Sequence, residues 1–154
     1  MFNIAALYKF YKIDDPYKIH INIRKELKKL SIKGTILVGA EGINGTISSE
    51  CLANLENALL FIKSIEGFDN IDLKYSTSKI NPFIRLKIKH KNEIVTIGDK
   101  SINPTTISGD YIHPEDWNEL ISDNNVLLID TRNNYECSIG SFKNSINPET
   151  SKFR

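Results

Sequence analysis

The first hundred residues alternate between hydrophobic patterns of helical and of strand period. Apolar residues recur every three or four positions in residues 19–30 and again in residues 52–65, which predicts two amphipathic helices. Pro16 suits the first turn of the earlier helix, and Gly67 suits the end of the later one. In residues 84–88 apolar and basic side chains alternate, as expected for a strand with one buried face.

Further stretches rich in β-branched or aromatic residues complete this series. Residues 3–13 and 71–75 each predict a strand, and residues 34–48 predict a β-hairpin between the two helices. The order is strand, helix, strand, strand, helix, strand, followed by one extra strand. This order predicts an α+β domain of the ferredoxin-like or acylphosphatase-like kind, in which two helices cover one face of an antiparallel sheet.

The hairpin has an unusually polar and glycine-rich centre. Its sequence, GTILVGAEGINGTIS, places Glu41, Gly42, Asn44 and Gly45 between two apolar runs. Asn-Gly is a frequent hairpin turn, and glycine permits positive φ or the close approach of another backbone. We therefore expect these four residues at the hairpin tip, either as a demanding turn or as a docking edge. A nucleotide-binding loop is excluded, because the glycines lack the dinucleotide spacing and no Gly-Lys-Ser/Thr follows them.

A change in pattern after residue 98 predicts a second segment. Residues 99–109 are rich in turn formers and have no periodicity, so we predict a linker between a domain of residues 1–98 and a segment of residues 110–154. In that segment Pro114 is expected to start a short helix. The apolar residues 126–129 predict a buried strand of the parallel kind. Polar residues follow this strand at its carboxyl end, where open α/β sheets place their sites.

The charge of the chain is divided between these parts. The net charge is +1, but residues 1–100 hold 16 lysines and arginines against 11 acidic residues, whereas residues 101–154 hold 4 against 8. Basic stretches near aromatic residues are typical of surfaces that bind phosphate backbones, although runs of lysine also form ordinary solvated faces. The candidate RNA contacts are Lys25, Lys28, Lys29, Arg85, Lys87 and Lys89.

The sequence contains little evidence for a metal site, a disulfide or a membrane-spanning segment. Cys51 and Cys137 lie far apart and form no CxxC pair, and the three histidines are scattered, so we predict no metal site. No apolar run approaches the roughly 18 residues of a membrane span, and the N-terminus has no signal-peptide pattern. We therefore expect a cytoplasmic protein that has no membrane partner.

Three motifs together resemble the rhodanese-related tRNA uridine hydroxylases, the TrhO family. These are GTILVGAEGINGTIS, then YIHPEDWNELI, and finally VLLIDTRNNYECSIGSF. The resemblance implies an acylphosphatase-like domain followed by the truncated start of an α/β rhodanese-like domain. It implies oxygen-dependent conversion of wobble uridine to 5-hydroxyuridine in the anticodon region of tRNA, with molecular oxygen and an unidentified reductant as co-substrates. It implies no cofactor held by this chain.

The resemblance also assigns site residues and exposes two departures. It places Asp130, Arg132 and Glu136 at the active-site wall, and Glu41, Gly42, Asn44 and Gly45 in the N-terminal signature. One departure is Gly140-Ser141-Phe142, where the family usually has Gly-His-Phe. The other concerns the family's reactive cysteine loop, of the CTGGIRC kind, which we expect beyond Arg154. Cys137 does not match that cysteine in position, so we interpret it as a small structural or surface residue and expect this chain alone to be inactive.

Two other functions stay open, and a third is disfavoured. A rhodanese-like domain ordinarily carries sulfur on its cysteine, so the alternative enzyme is a sulfurtransferase. The alternative outside enzymology is a non-catalytic RNA-binding module. Acylphosphatase activity would require an arginine in a phosphate-binding loop after the first strand, but Asp14 and Asp15 occupy that place.

Overall fold

The computed structural model describes residues 1–94 and 109–149. The chain divides into two compact units, Met1–Ile107 and Ser108–Arg154, which we call the N-terminal and C-terminal units. The predicted linker, residues 99–109, lies outside the described residues except for Gly109, so the predicted boundary stays a prediction. None of the helices within the described ranges is long and apolar enough to cross a membrane.

The N-terminal unit confirms the predicted order of elements. Its strands are β1 (Phe2–Phe10), β2 (Lys33–Gly39), β3 (Gly42–Ser49), β4 (Asp72–Ser78) and β5 (Leu86–His90), and its helices are α1 (Pro16–Lys29) and α2 (Leu52–Lys63). The strands form one sheet in the order β4-β1-β3-β2-β5. This is the acylphosphatase-like form of the ferredoxin-like α+β fold.

The sheet is mixed, which corrects the expectation of an antiparallel sheet. The first four strands pair antiparallel, whereas β5 lies parallel to β2, with Gly34 opposite Leu86. The physical reason is the connection into β5. The chain leaves β4 at one edge of the sheet and enters β5 at the other edge, and a strand reached by such a crossover is not held antiparallel by a hairpin.

The core lies between the two helices and one face of the sheet. Alternate residues of the strands point toward the helices, where Ile36, Ile43 and Ile47 are fully buried with Leu27 and Leu55. The two helices present their predicted apolar faces to this core, except that Leu52 at the start of α2 is 51% exposed. Helix α1 begins after Asp15, whose side chain accepts a hydrogen bond from the Lys18 backbone N–H at 2.9 Å.

The hairpin turn lies earlier than predicted. Gly39 pairs with Gly42, so the turn is formed by Ala40 and Glu41 alone. Asn44 and Gly45 lie inside β3, and their predicted place at the tip is wrong. Neither turn residue has a positive φ, and the residue that does is Gly42, directly after the turn, at 144°.

The C-terminal unit has little regular structure among residues 109–149. It contains helices α3 (Trp117–Leu120) and α4 (Asn134–Ile139) and one parallel bridge between Ile129 and Ile146. Helix α3 starts three residues after Pro114, because residues 114–116 form a turn. The predicted buried strand at 126–129 is wrong for the described residues. Only that bridge pairs with it there, so no sheet covers Leu127, which is 66% exposed.

Candidate functional sites

The sheet of the N-terminal unit has one face that no described helix of that unit covers, which we call the open face. The strand register places two rows of side chains across its middle. One row is Tyr8, Asn44, Leu37 and Lys89, and the next is Ala6, Thr46, Thr35 and Lys87. Directly opposite residues of paired strands share a face, so these side chains are close neighbours.

The open face is predominantly basic. Among the residues of the five strands it carries four lysines, at positions 33, 74, 87 and 89, and one acidic residue, Asp72. The lysines at 33, 87 and 89 belong to the neighbouring strands β2 and β5, at one side of the sheet. Positive charge concentrated on one side of a surface attracts a polyanion to that side.

Both ends of the open face are covered by irregular segments of the same unit. At one end Ser48 is fully buried, and its hydroxyl donates to the Asn81 Oδ1 atom at 2.9 Å, so the crossover between β4 and β5 lies over it. At the other end the Glu41 carboxylate accepts a hydrogen bond from the Ile94 backbone N–H. Ile94 also packs against Gly39 there. Within residues 1–94, these two segments leave the middle of the open face uncovered, and Tyr8, Leu37 and Asn44 are half-buried there.

A basic groove of about 430 Å³ runs beside this face, along the outer edge of β5. Arg24 of α1 lines one side of it, and Arg85, Lys87 and Lys89 line the other. The helix is held there by His20, whose Nε2–H donates to the Ile88 carbonyl at 3.1 Å. The groove therefore combines a helix and a strand that are distant in sequence.

The six predicted RNA contacts are divided by the structure into two groups. Arg85, Lys87 and Lys89 lie together at the groove, whereas Lys25, Lys28 and Lys29 are exposed on α1 and do not line it. Lys29 is paired with Glu26 at 2.7 Å. Arg24, which was not among the six, joins the groove. The sequence has no signal for it, because its place at the groove depends on the packing of α1 against β5 beside His20.

The four signature residues of the hairpin have different roles. Glu41 holds the segment after β5, as described above. Gly42 and Gly45 are required by space: a Cβ atom would lie 2.1 Å from the Lys9 carbonyl oxygen at Gly42, and 2.5 Å from the Thr35 carbonyl oxygen at Gly45. Asn44 alone presents a polar side chain to the middle of the open face.

In the C-terminal unit, Asp130 and Arg132 form a close ion pair. The Arg132 guanidinium donates to both carboxylate oxygens of Asp130, at 2.9 and 2.6 Å, and also to the Gly140 carbonyl oxygen at 2.7 Å. The hydrogen bonds from Arg132 lower the pKa of Asp130 well below its usual range, and the same pairing raises the pKa of Arg132. Both groups are therefore charged at neutral pH. The pair ties the end of residues 126–129 to the end of α4.

Glu136 and Cys137 lie beside this pair with different functions. The Glu136 carboxylate accepts from the backbone N–H and the side-chain amide of Asn133, at 3.1 and 2.7 Å, which is a capping box at the start of α4. The Cys137 thiol lies 3.8 Å from the Arg132 carbonyl oxygen. Desolvation, aided by Asp130, raises the pKa of Cys137, so it is held as a thiol rather than a nucleophilic thiolate.

No group of three potential metal ligands comes together within residues 1–94 and 109–149. The described residues thus offer a basic surface in one unit and a closed ion pair beside a thiol in the other. The first suits binding of a polyanion. The second, by itself, contains an oriented carboxylate and guanidinium but no activated nucleophile among the described residues.

Comparison with solved structures returns small domains or parts of larger chains. The chain is similar to acylphosphatase from Bacillus subtilis, with 14% identity over 58% of this chain and 99% of that chain, at a TM-score of 0.44. It is similar to a bacterial light-regulated adenylyl cyclase, with 17% identity over 64% and 30% of the two chains and a TM-score of 0.47. It is also similar to full-length HypF in the phosphate- and nucleotide-bound form, with 17% identity over 57% of this chain and 11% of that chain and a TM-score of 0.39.

Comparison with protein families identifies the N-terminal unit. Residues 2–94 match the family model described as the UPF0176 acylphosphatase like domain. These residues include the whole sheet and both of its helices. Because they make up more than half of the sequence, the chain belongs to the TrhO/UPF0176 family, and residues 2–94 are its N-terminal acylphosphatase-like domain.

Proposed function

We propose that this protein acts in the oxygen-dependent hydroxylation of wobble uridine in tRNA to 5-hydroxyuridine, and that its N-terminal unit binds the RNA. Membership of the TrhO/UPF0176 family fits a tRNA-related role. The observation that carries the proposal is the basic groove along β5, where Arg24, Arg85, Lys87 and Lys89 come together. An anticodon loop presents phosphates to such a surface.

The electrostatics of the groove support an RNA partner over a small substrate. Four cations line one open groove, with no acidic residue among its lining residues. Each phosphate that such a cation neutralises releases condensed counterions, so binding should weaken steeply as salt increases. A small anionic substrate would need an enclosed site with few, precisely placed donors.

In this proposal the C-terminal unit contributes to the wall of the active site. The Asp130–Arg132 pair is fixed by three side-chain hydrogen bonds, including the one to the Gly140 carbonyl, so it is a rigid polar surface. Molecular oxygen and a reductant would be co-substrates supplied from solution. Glu136 supports α4 through its cap, and its assignment to this wall stays a prediction.

The proposal is tested in cells. The complete gene, including any coding sequence after the codon for Arg154, is expressed in a bacterial strain that lacks its own wobble-uridine hydroxylase, and the tRNA nucleosides are analysed by mass spectrometry. We expect 5-hydroxyuridine to appear. A thiolated uridine instead would support the sulfurtransferase alternative, and bound but unmodified tRNA would support a non-catalytic binding module. Either result, with the protein present at normal level, would overturn the proposal.

A further inference from the structure

Asn44 is an unusual residue for its position. It lies in the middle of β3, which has β1 on one side and β2 on the other, and its side chain is on the open face between Tyr8 and Leu37. Asparagine is depleted in strands because its amide packs poorly and competes for backbone hydrogen bonds. A β-branched or apolar residue would suit this site better if the fold were its only purpose.

The fold does not use the Asn44 amide. The side chain is half-buried, and it makes no hydrogen bond to any residue in the ranges 1–94 and 109–149. Its carbonyl oxygen and its NH₂ group therefore retain an acceptor and two donors for another molecule. This combination matches the edge of a nucleobase, which offers donors and acceptors side by side.

Flat and hydroxyl-bearing side chains surround the amide. Tyr8 is directly opposite Asn44, and its ring meets that of Phe10 edge to face, with centroids 5.0 Å apart. Thr46 and Thr35 stand in the next row of the same face. Aromatic side chains on the central strands of a sheet provide surfaces on which unpaired bases stack.

Cations lie at the distance that a nucleotide requires. Lys89 ends the row that contains Asn44, and Lys87 ends the row that contains Thr46. Because neighbouring strands are about 4.8 Å apart, Asn44 lies about 10 Å from the β5 backbone. The sugar of a nucleotide and a lysine side chain together span that distance.

We infer that the middle of the open face binds an unpaired base of single-stranded RNA, with the Asn44 amide hydrogen-bonded to the base edge and the flanking phosphates on Lys87 and Lys89. The inference rests on the RNA binding in the proposed function, not on the hydroxylation, and adds the subsite and the strandedness of its ligand. A base within a duplex has its pairing edge occupied and its faces stacked, so a single strand is required.

The first test measures binding to a fluorescein-labelled anticodon stem-loop RNA by fluorescence anisotropy. Asn44→Ala should weaken binding of this RNA about tenfold, because a bidentate contact to a base is lost. The same change should leave binding to a fully paired RNA of equal length unaltered. Asn57→Ala is the matched control, since Asn57 is exposed on α2, which packs on the other face of the sheet.

The second test compares two pairs of lysines with the same loss of charge. Lys87→Ala with Lys89→Ala removes two cations from the open face, whereas Lys25→Ala with Lys29→Ala removes two from α1. We expect the first double variant to bind the stem-loop at least tenfold more weakly, and the second to change binding less than threefold. Equal losses would mean that charge alone attracts the RNA and would overturn the inference.

Thermal unfolding of each variant, followed by circular dichroism, separates lost contacts from lost structure. An unchanged affinity of a folded Asn44→Ala variant would also overturn the inference. These outcomes are independent of the proposed function. If 5-hydroxyuridine forms in cells but Asn44→Ala binds normally, the subsite is wrong and the function stands. If the stem-loop binds as inferred but 5-hydroxyuridine never forms, the function is wrong and the subsite stands.

Discussion

The two units of this chain use their apolar residues in opposite ways. In the described part of the N-terminal unit, seventeen buried residues from strands, helices and the loops between them form one cluster, and Ile36 and Leu55 are fully buried in it. Among residues 109–149 of the C-terminal unit the large apolar residues are either exposed, such as Tyr111 at 98% and Ile139 at 86%, or half-buried, and none is buried. Both sequences contain short apolar runs, so hydrophobicity alone does not explain the difference.

The burial of an apolar run depends on the strands and helices that lie beside it. Strand β2 has β3 on one side and β5 on the other, and helices cover its buried face. Residues 126–129 have a single bridge among the described residues. The C-terminal unit is held instead by local polar contacts, such as the Asp130–Arg132 pair and the capping box of α4. An apolar run therefore predicts a strand only where its neighbours are also specified.

The largest expected effect is in the core of the N-terminal unit. Ile36→Ala should lower the free energy of unfolding by about 2 to 5 kcal/mol, because it leaves a cavity in the centre of the sheet. Leu127→Ala, in the exposed run, should change it by less than about 0.5 kcal/mol. Urea unfolding followed by circular dichroism measures the first, and the fluorescence of Trp117, the single tryptophan, measures the second. Similar losses in both would contradict the contrast between the units.

Glycine substitutions give the next largest contrast. Gly42→Ala should destabilise the N-terminal unit by about 2 to 4 kcal/mol, since Gly42 has a φ of 144° and a Cβ there would overlap the Lys9 carbonyl. Gly140→Ala is the control. Its backbone is extended and no atom lies within 4 Å of the added Cβ, so we expect almost no change. Thermal unfolding followed by circular dichroism compares the two variants. If Gly42→Ala unfolds at the temperature of the parent, the fold does not require glycine at this position.

Much of the N-terminal unit is predictable from sequence because its signals are local. Helices α1 and α2 follow from apolar spacing, and the strand order follows from the series of elements. The turn at Ala40 and Glu41 was missed because Asn44-Gly45 is the stronger turn signal by composition. The register between β1 and β3 places Asn44 opposite Tyr8, so Asn44 lies within the sheet and not in the turn.

Features built from distant residues could not be predicted in this way. The groove joins Arg24 to Arg85, and no pattern in the sequence relates a helix to a strand sixty positions later. Glu136 was assigned to the active-site wall by resemblance alone, whereas its bonds to Asn133 are those of a cap. The parallel pairing of β5 also depends on the path of the crossover from β4.

The polar contacts of the C-terminal unit predict a pH dependence. The pKa of Asp130 is lowered by Arg132, so its ionised form stabilises the folded unit. This stabilisation is complete above the ordinary carboxyl pKa of about 4 and is lost as the pH falls below it. Asp130→Asn should therefore unfold at lower urea than the parent at pH 7, and the difference should shrink at pH 3, as reported by Trp117 fluorescence.

Asp110→Asn controls for the loss of one negative charge in the same unit. Asp110 is exposed, and no hydrogen bond of its side chain to another described residue is present. We expect this variant to differ little from the parent at either pH. If the difference in unfolding urea concentration between Asp130→Asn and the parent grew as the pH falls, it would have the wrong sign. The ion pair would then be excluded as its cause.

The smallest effect concerns Glu136 and decides between its two roles. As a cap, its carboxylate accepts two hydrogen bonds from Asn133, and glutamine at this position would still offer an acceptor oxygen. Glu136→Gln should then keep both stability and 5-hydroxyuridine formation, whereas Glu136→Ala should cost about 0.5 to 1 kcal/mol of stability. If the carboxylate instead forms part of the active-site wall, Glu136→Gln should lose modification while unfolding at the parent's urea concentration. Nucleoside mass spectrometry and urea unfolding of the two variants separate these roles, because only a cap makes glutamine harmless and alanine mildly destabilising.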